Sequence, residues 1–126
     1  MGALVTAEAN RLLDATFGTA AFAAPTGAMK LALVTATGSA AAAGTEVTGG
    51  SYARQTLVMG SASGSSCANT STISFTGMPA ATVTGVDIYD SNGTPRRAWW
   101  GALTASKTVG AGDTLSFASS SITASF

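Results

Sequence analysis

Two hydrophobic periodicities divide the chain. Between residues 6 and 17, Ala9, Leu12, Leu13, Thr16 and Phe17 recur at helical spacing, with Glu8, Asn10, Arg11 and Asp14 elsewhere around the wheel. This spacing predicts one short amphipathic helix. Thr6 is its expected N-cap, and Gly18 stands where a left-handed residue closes a helix. A linker occupies residues 19 to about 25. From Met29 onward the period becomes two, and short apolar runs alternate with clusters of Gly, Ser, Thr and Asn. Seven strands are predicted, at residues 29–35, 52–59, 70–75, 82–89, 96–104, 113–117 and 122–126. Asn92-Gly93, inside the run Asp90-Ser91-Asn92-Gly93-Thr94, predicts a tight two-residue hairpin with positive φ angles. The Gly-, Ala- and Ser-rich stretches 38–50 and 60–69 read as exposed loops.

Short antiparallel strands with one apolar face need a second layer over that face. The predicted fold is therefore mainly β: a two-layer antiparallel β-sandwich of about seven strands with one short N-terminal helix. At 126 residues without an internal composition break, the chain reads as a single domain over 1–126, with the helix at 6–17 and the sandwich at 29–126. No repeat of fixed period is visible, which counts against a propeller or solenoid. Strand order is not readable from spacing.

Charge narrows the functional classes. Six Lys and Arg balance six Asp and Glu, and only 10% of residues are charged. No basic field exists to collect phosphates, so no nucleic-acid partner is expected. A neutral, hydroxyl-rich surface has weak self-repulsion and suits a protein packed against neighbours, here read as a homo-oligomer. No apolar run reaches the length of a membrane span, and the N-terminus lacks the basic and apolar regions of a secretory signal. No membrane partner is expected, and assembly in the host cytoplasm is.

Chemistry finds little support. There is no histidine, so the usual general base and the Ser-His-Asp and Cys-His arrangements are missing. The single Cys67 has no second thiolate for a disulfide or a zinc site. Asp87 and Asp90 differ in parity, which places them on opposite faces of a strand and argues against a carboxylate pair; Asp90 is better explained as a turn residue that accepts backbone N–H groups. Asp87, Asp90 and Asp113 do not follow calcium-loop spacing. Gly49-Gly50 and residues 60–64 lack the Lys-Ser/Thr pair of a phosphate loop. Asn69-Thr70-Ser71 and Asn92-Gly93-Thr94 match the glycosylation sequon, which matters chiefly in secreted eukaryotic proteins. No enzymatic activity, metal or cofactor is expected.

One concentration of interaction-prone side chains stands out, Arg96 and Arg97 beside Trp99 and Trp100. Strict alternation puts Arg97, Trp99, Gly101 and Leu103 on one side and Arg96, Ala98, Trp100 and Ala102 on the other. Leu103 marks the first side as the interior, so Trp99 is expected in the core and Trp100 at a subunit contact, unless a bulge shifts the register. Arg96 is assigned to the same contact. The helix face of Leu12, Leu13 and Phe17 is expected to dock on the sandwich or on a neighbouring subunit, because so short a helix is marginal alone.

The segment GTEVTGGSYARQ at residues 44–55 and the segment TVTGVDIYDSNGTPRRAWWGALTASKTVGAGDTL at residues 82–115 resemble small tailed-phage virion structural proteins, commonly described as phage tail-fibre proteins. The similarity runs from the helix at Thr6 to the C-terminus and includes a first strand like LALVT at residues 31–35. The resemblance implies a virion part with no enzymatic activity and no cofactor, whose partners are other virion proteins, the major capsid protein or tail proteins. Capsid decoration on the outer shell is the first assignment, since a compact neutral domain without a shaft fits it. A tail-tip or tail-fibre component is the alternative. A carbohydrate-binding module of a phage appendage comes third, and it requires an exposed Trp flanked by polar loops.

Overall fold

The computed structural model describes residues 2–126. In chain order the elements are β1 (Ala3–Leu4), α1 (Thr6–Thr16), β2 (Met29–Ala36), β3 (Thr45–Glu46), β4 (Gln55–Leu57), β5 (Ser66–Ala68), β6 (Ile73–Phe75), β7 (Ala81–Tyr89), β8 (Arg97–Val109), β9 (Leu115–Phe117) and β10 (Thr123–Ser125). Each of the seven predicted strand regions contains a strand, shorter than expected at 52–59 (Gln55–Leu57), 70–75 (Ile73–Phe75) and 113–117 (Leu115–Phe117) and longer at 96–104 (Arg97–Val109). The three further strands, β1, β3 and β5, are two or three residues long, too short to carry a period, and two of them lie in stretches expected to be loops.

One layer is a six-stranded antiparallel sheet in the order β1-β8-β7-β2-β3, with β4 also paired to β2. Strand β2 divides its outer edge: Met29, Lys30 and Leu31 pair with β4, and Val34 and Ala36 pair with β3. The other layer consists of two two-stranded sheets, β6-β9 and β5-β10. Leu31, Leu33, Val83, Val86, Ile88 and Trp99 of the large sheet meet Ile73, Phe75, Leu115, Phe117 and Ile122 from the other layer in one buried cluster. Phe75 lies at its centre, parallel to the Tyr52 ring at 6.0 Å and edge-on to Phe117 at 6.2 Å. Such a cluster is the layer contact that a sandwich requires.

The small sheets are too narrow to be stable alone. Buried Asn69 joins them: its Nδ2 donates to the carbonyls of Ser71 (2.8 Å) and Ala118 (3.0 Å), and its Oδ1 accepts the N–H of Ile122 at 2.8 Å. That side chain is spent within the fold and is no glycosylation acceptor.

The helix corrects one expectation and meets another. Val5, not Thr6, is the N-cap, and it makes no side-chain cap bond. The Thr6 N–H is satisfied by the Ala40 carbonyl at 2.9 Å and that of Val5 by Ala98 at 3.0 Å, so tertiary contacts do the work of a cap. The other end follows expectation. Gly18 adopts φ +74, its N–H bonds the Ala15 carbonyl, and Thr19 N–H bonds the Asp14 carbonyl, the paired arrangement that closes a helix through a left-handed residue.

The β7–β8 hairpin forms, with Tyr89 opposite Arg97, but its turn is not the tight one. Neither Asn92 nor Gly93 is among the residues with positive φ. The connection is a wider loop closed by Asp90, whose N–H reaches the Arg96 carbonyl at 3.0 Å. Oδ1 of Asp90 accepts the N–H groups of Arg96 (2.7 Å) and Asn92 (3.3 Å), and Oδ2 accepts that of Thr26 (3.1 Å). A side chain that satisfies three backbone donors replaces the turn geometry that Asn-Gly alone would have imposed.

Candidate docking surface and its polar supports

Strand β8 carries the tryptophan pair. Ile88 faces Trp99 and Asp87 faces Trp100, but Tyr89 faces Arg97, so Ala98 is an extra residue on β8. Trp99 is 9% exposed within the core and edge-on to Phe126 at 5.9 Å, as alternation predicted. Trp100 is half-buried on the opposite face, and its indole Nε1 is enclosed without a hydrogen-bond partner among the described residues. The extra residue corrects the side given to Arg97. Its Nε bonds Asp87 Oδ1 at 3.0 Å and its Nη2 bonds the Ser39 carbonyl at 2.7 Å, so Arg97 lies with Asp87 on the face away from Trp99. A one-residue bulge turns the side chains before it to the other face, and strict alternation misses it. Oδ2 of Asp87 also takes the Gly44 N–H at 3.0 Å. This buried ion pair therefore clasps residues 39–44 over the outer face of the large sheet.

Arg96, expected at an interface, is engaged within the chain. Its Nη2 lies 3.1 Å from Glu8 Oε2 and 2.8 Å from the Ala23 carbonyl, and its Nε lies 2.6 Å from Glu8 Oε1 without hydrogen-bond alignment. Arg11 pairs with the same carboxylate. Glu8, which the spacing leaves off the apolar face of the wheel, is 2% exposed. The buried stripe of α1 thus runs through Val5, Glu8 and half-buried Leu12. Leu13 and Phe17, four residues apart on another face, are 56% and 78% exposed. The expected docking of Leu13 and Phe17 on the chain's own sandwich does not occur, because a carboxylate with two arginine partners occupies the inward position in their place. Phe22, on the following linker, is 38% exposed.

A third polar group lies in the segment 44–55. Oε2 of Glu46 accepts the Tyr52 hydroxyl at 2.8 Å and Arg54 Nε at 2.9 Å, and its Oε1 accepts Arg54 Nη2 at 2.7 Å. The Tyr52 hydroxyl accepts the Leu33 N–H at 3.0 Å, and the Arg54 guanidinium stacks 3.8 Å over the Tyr89 ring. Gly50 holds the turn between Glu46 and Tyr52 at φ +56, where a Cβ would come within 2.7 Å of the Gly77 carbonyl oxygen. Burial opposes ionisation of Glu46, yet the hydrogen bonds from Arg54 and Tyr52 prevail and hold its pKa below the ordinary value. Burial raises the Tyr52 phenol above the usual range; the Leu33 N–H works against this and the Glu46 carboxylate adds to it. Tyr52 therefore stays protonated and keeps donating. Asp90 is also held low, first by the Arg96 N–H and then by that of Thr26.

The inventory of acids is complete with Asp14, which accepts the Thr19 hydroxyl at 3.1 Å, and Asp113, which accepts the Gly110 N–H at 2.7 Å. All six acidic side chains of the sequence are committed to holding helix, loops or turns. Sequence reasoning singled out Asp87 and Asp90 but missed Glu8, Glu46, Tyr52 and Arg54. Two signals were present: charge is rare in this chain, so each charged residue counts for more, and Glu46, Tyr52 and Arg54 lie within the segment 44–55 that carries the family resemblance.

The molecule is thus a mainly β, sandwich-like protein whose charged groups brace its own loops and which leaves Leu13, Phe17 and Phe22 uncovered on a helix and linker. The chain belongs to a phage fibre family: the family model described as podophage GP4 fiber I protein gp80 matches residues 3–125. It is thus a structural component of the phage virion, in a family of fibre proteins and not of enzymes, and associates with other virion proteins. No curated protein matches the chain.

Proposed function

We propose that this chain is a non-catalytic component of a phage appendage, attached to other virion proteins through the exposed face of α1 and the linker after it. The family match over residues 3–125 carries this reading, since the family is named for a fibre. The attachment face is supported by Leu13, Phe17 and Phe22, whose exposed apolar surface is the kind that marks protein contacts. Leu12 and Arg96 support that face from beneath, Arg96 by anchoring the helix through Glu8. Trp100, half-buried opposite Asp87, lies on the same face of β8 as Arg97 and contributes to the contact. Absence of catalysis is supported by the commitment of all six carboxylates to structural bonds.

Capsid decoration is the second reading, supported by the compact sandwich-like arrangement of residues 2–126, among which no repeat is found. Gold labelling of a tagged chain on purified virions separates the two: label at the tail supports the appendage, and label over the shell supports decoration. The proposal further includes one cooperative domain, self-association, and assembly in the host cytoplasm. A single unfolding transition and a mass above one chain by light scattering are the expected results.

A further inference from the structure

The chain has three asparagines, Asn10, Asn69 and Asn92, and the fold treats them unequally. Asn10 lies within α1, where the N–H that follows it is held in the helix ladder. Asn69 is 2% exposed with both amide atoms bonded, and the N–H of Thr70 after it reaches the Val58 carbonyl at 3.0 Å. Asn92 is exposed, is followed by glycine, and lies in the wide loop after β7. Among the described residues, neither its Nδ2 nor the N–H of Gly93 has a hydrogen-bond partner.

The space around Gly93 is equally open. A Cβ built there would meet nothing within 4 Å, and its φ is not positive. With no side chain to hinder the approach, the Gly93 nitrogen is free to turn onto Cγ of Asn92. One contact favours attack there: Oδ1 of Asn92 accepts the Thr94 N–H at 3.4 Å, so a donor stands beside the oxygen on which negative charge builds.

We propose that Asn92 is a self-modification site, at which the folded chain loses the side-chain amide through a succinimide and becomes aspartate or isoaspartate. Solvent hydroxide removes the Gly93 N–H proton, and the nitrogen forms a bond to Asn92 Cγ. The Cγ–Nδ2 bond breaks as Nδ2 takes a proton from water and leaves as ammonia. Water then opens the ring. Addition at Cγ restores the original backbone path as aspartate. Addition at the main-chain carbonyl carbon of residue 92 leaves Gly93 joined through Cγ, as isoaspartate, with one more carbon in the main chain.

Both products put a carboxylate where a neutral amide stood. The Asn92 N–H bonds Asp90 Oδ1 at 3.3 Å, so the new charge lies beside a carboxylate that its backbone donors already hold ionised. Like charges oppose each other there, and isoaspartate also lengthens the loop that Asp90 closes. The same loop holds the linker. Asp90 Oδ2 accepts the Thr26 N–H at 3.1 Å, the Ser91 N–H bonds the Thr26 carbonyl at 2.9 Å, and Ser91 Oγ donates to the Ala28 carbonyl. Conversion at Asn92 therefore loosens residues 19–28. None of this depends on the attachment assigned to α1.

The test incubates the full chain for days at mildly alkaline pH and follows each asparagine by peptide mapping and mass spectrometry, with fragmentation that separates isoaspartate from aspartate. A gain of one mass unit is expected at Asn92, with both products present, and at least tenfold more slowly at Asn10 and Asn69. The rate should rise with pH and lie within about tenfold of that in urea. Gly93→Ala, whose Cβ has open space, should slow conversion at least tenfold with unchanged circular dichroism. The converted chain should be cut by chymotrypsin after Phe22 at least threefold faster than fresh chain, whereas Asn92→Gln, incubated identically, should show no such gain. The proposal is overturned if Asn92 keeps its amide in the folded chain while losing it in urea, if Asn10 or Asn69 converts as fast, or if Gly93→Ala converts at the parent rate. It is equally overturned if the converted chain is cut no faster, or if Asn92→Gln gains the same sensitivity.

Discussion

The Tyr52 hydroxyl takes the Leu33 N–H at 3.0 Å where β2 passes from β4 to β3. At that point no strand faces Leu33 N–H, and an unpaired buried donor costs about 1–3 kcal/mol. A phenol whose pKa is raised fills the gap, stays protonated and donates its own O–H to Glu46. Tyr52→Phe is expected to destabilise the fold by about 1–3 kcal/mol in urea unfolding, while the Phe ring keeps the stack on Phe75.

Two carboxylates govern the acid limb of stability. Glu46 and Asp90 have folded pKa values below their ordinary 4.5 and 3.8. A depressed carboxylate contributes fully above its unfolded pKa, and the contribution disappears as pH falls through the folded value. Melting temperature is therefore expected to hold from pH 7 to about 5 and to fall below it. Glu46→Gln should lower stability at pH 7 and flatten the decline below pH 4.5.

The two tryptophans should separate by assay. Trp99→Ala removes a ring from the core and is expected to cost roughly 3–5 kcal/mol, measured by chemical unfolding. Trp100→Ala removes a half-buried ring, leaves the chain folded and weakens incorporation into virions. Equal loss of folding in both would reject the contact assigned to Trp100.

The helix offers a second separation. Glu8→Ala is expected to cost on the order of 2–3 kcal/mol, below the value for a fully buried pair because Arg11 and Arg96 keep contact with water. Proteolysis should then begin within residues 6–28. Leu13→Asp, on the exposed face, should change stability by no more than about 0.5 kcal/mol yet reduce incorporation; normal incorporation by this variant would remove α1 from the attachment surface.

By itself the sequence determined what depends on near neighbours. Period-two runs located seven strand regions, Gly18 closed the helix, and Leu103 set the interior side of β8, so that Trp99 went to the core. Each follows from spacing along one element. The two segments at 44–55 and 82–115 marked the phage virion family, although the reason for their polar residues was invisible there. Tertiary structure alone decided which side chains meet across long separations. Glu8 turns inward because Arg96, 88 residues away, neutralises it, and this moves Leu13 and Phe17 to the surface against the apolar pattern. Arg97 changes face because the bulge at Ala98 breaks a parity that sequence counting assumes. Asp90 overrides Asn92-Gly93 by drawing in Thr26, 64 residues away. The register mismatch between β7 and β8, where Gly85 pairs with Ala102 and Val83 with Lys107, depends on pairing between strands, which neither strand's own sequence contains.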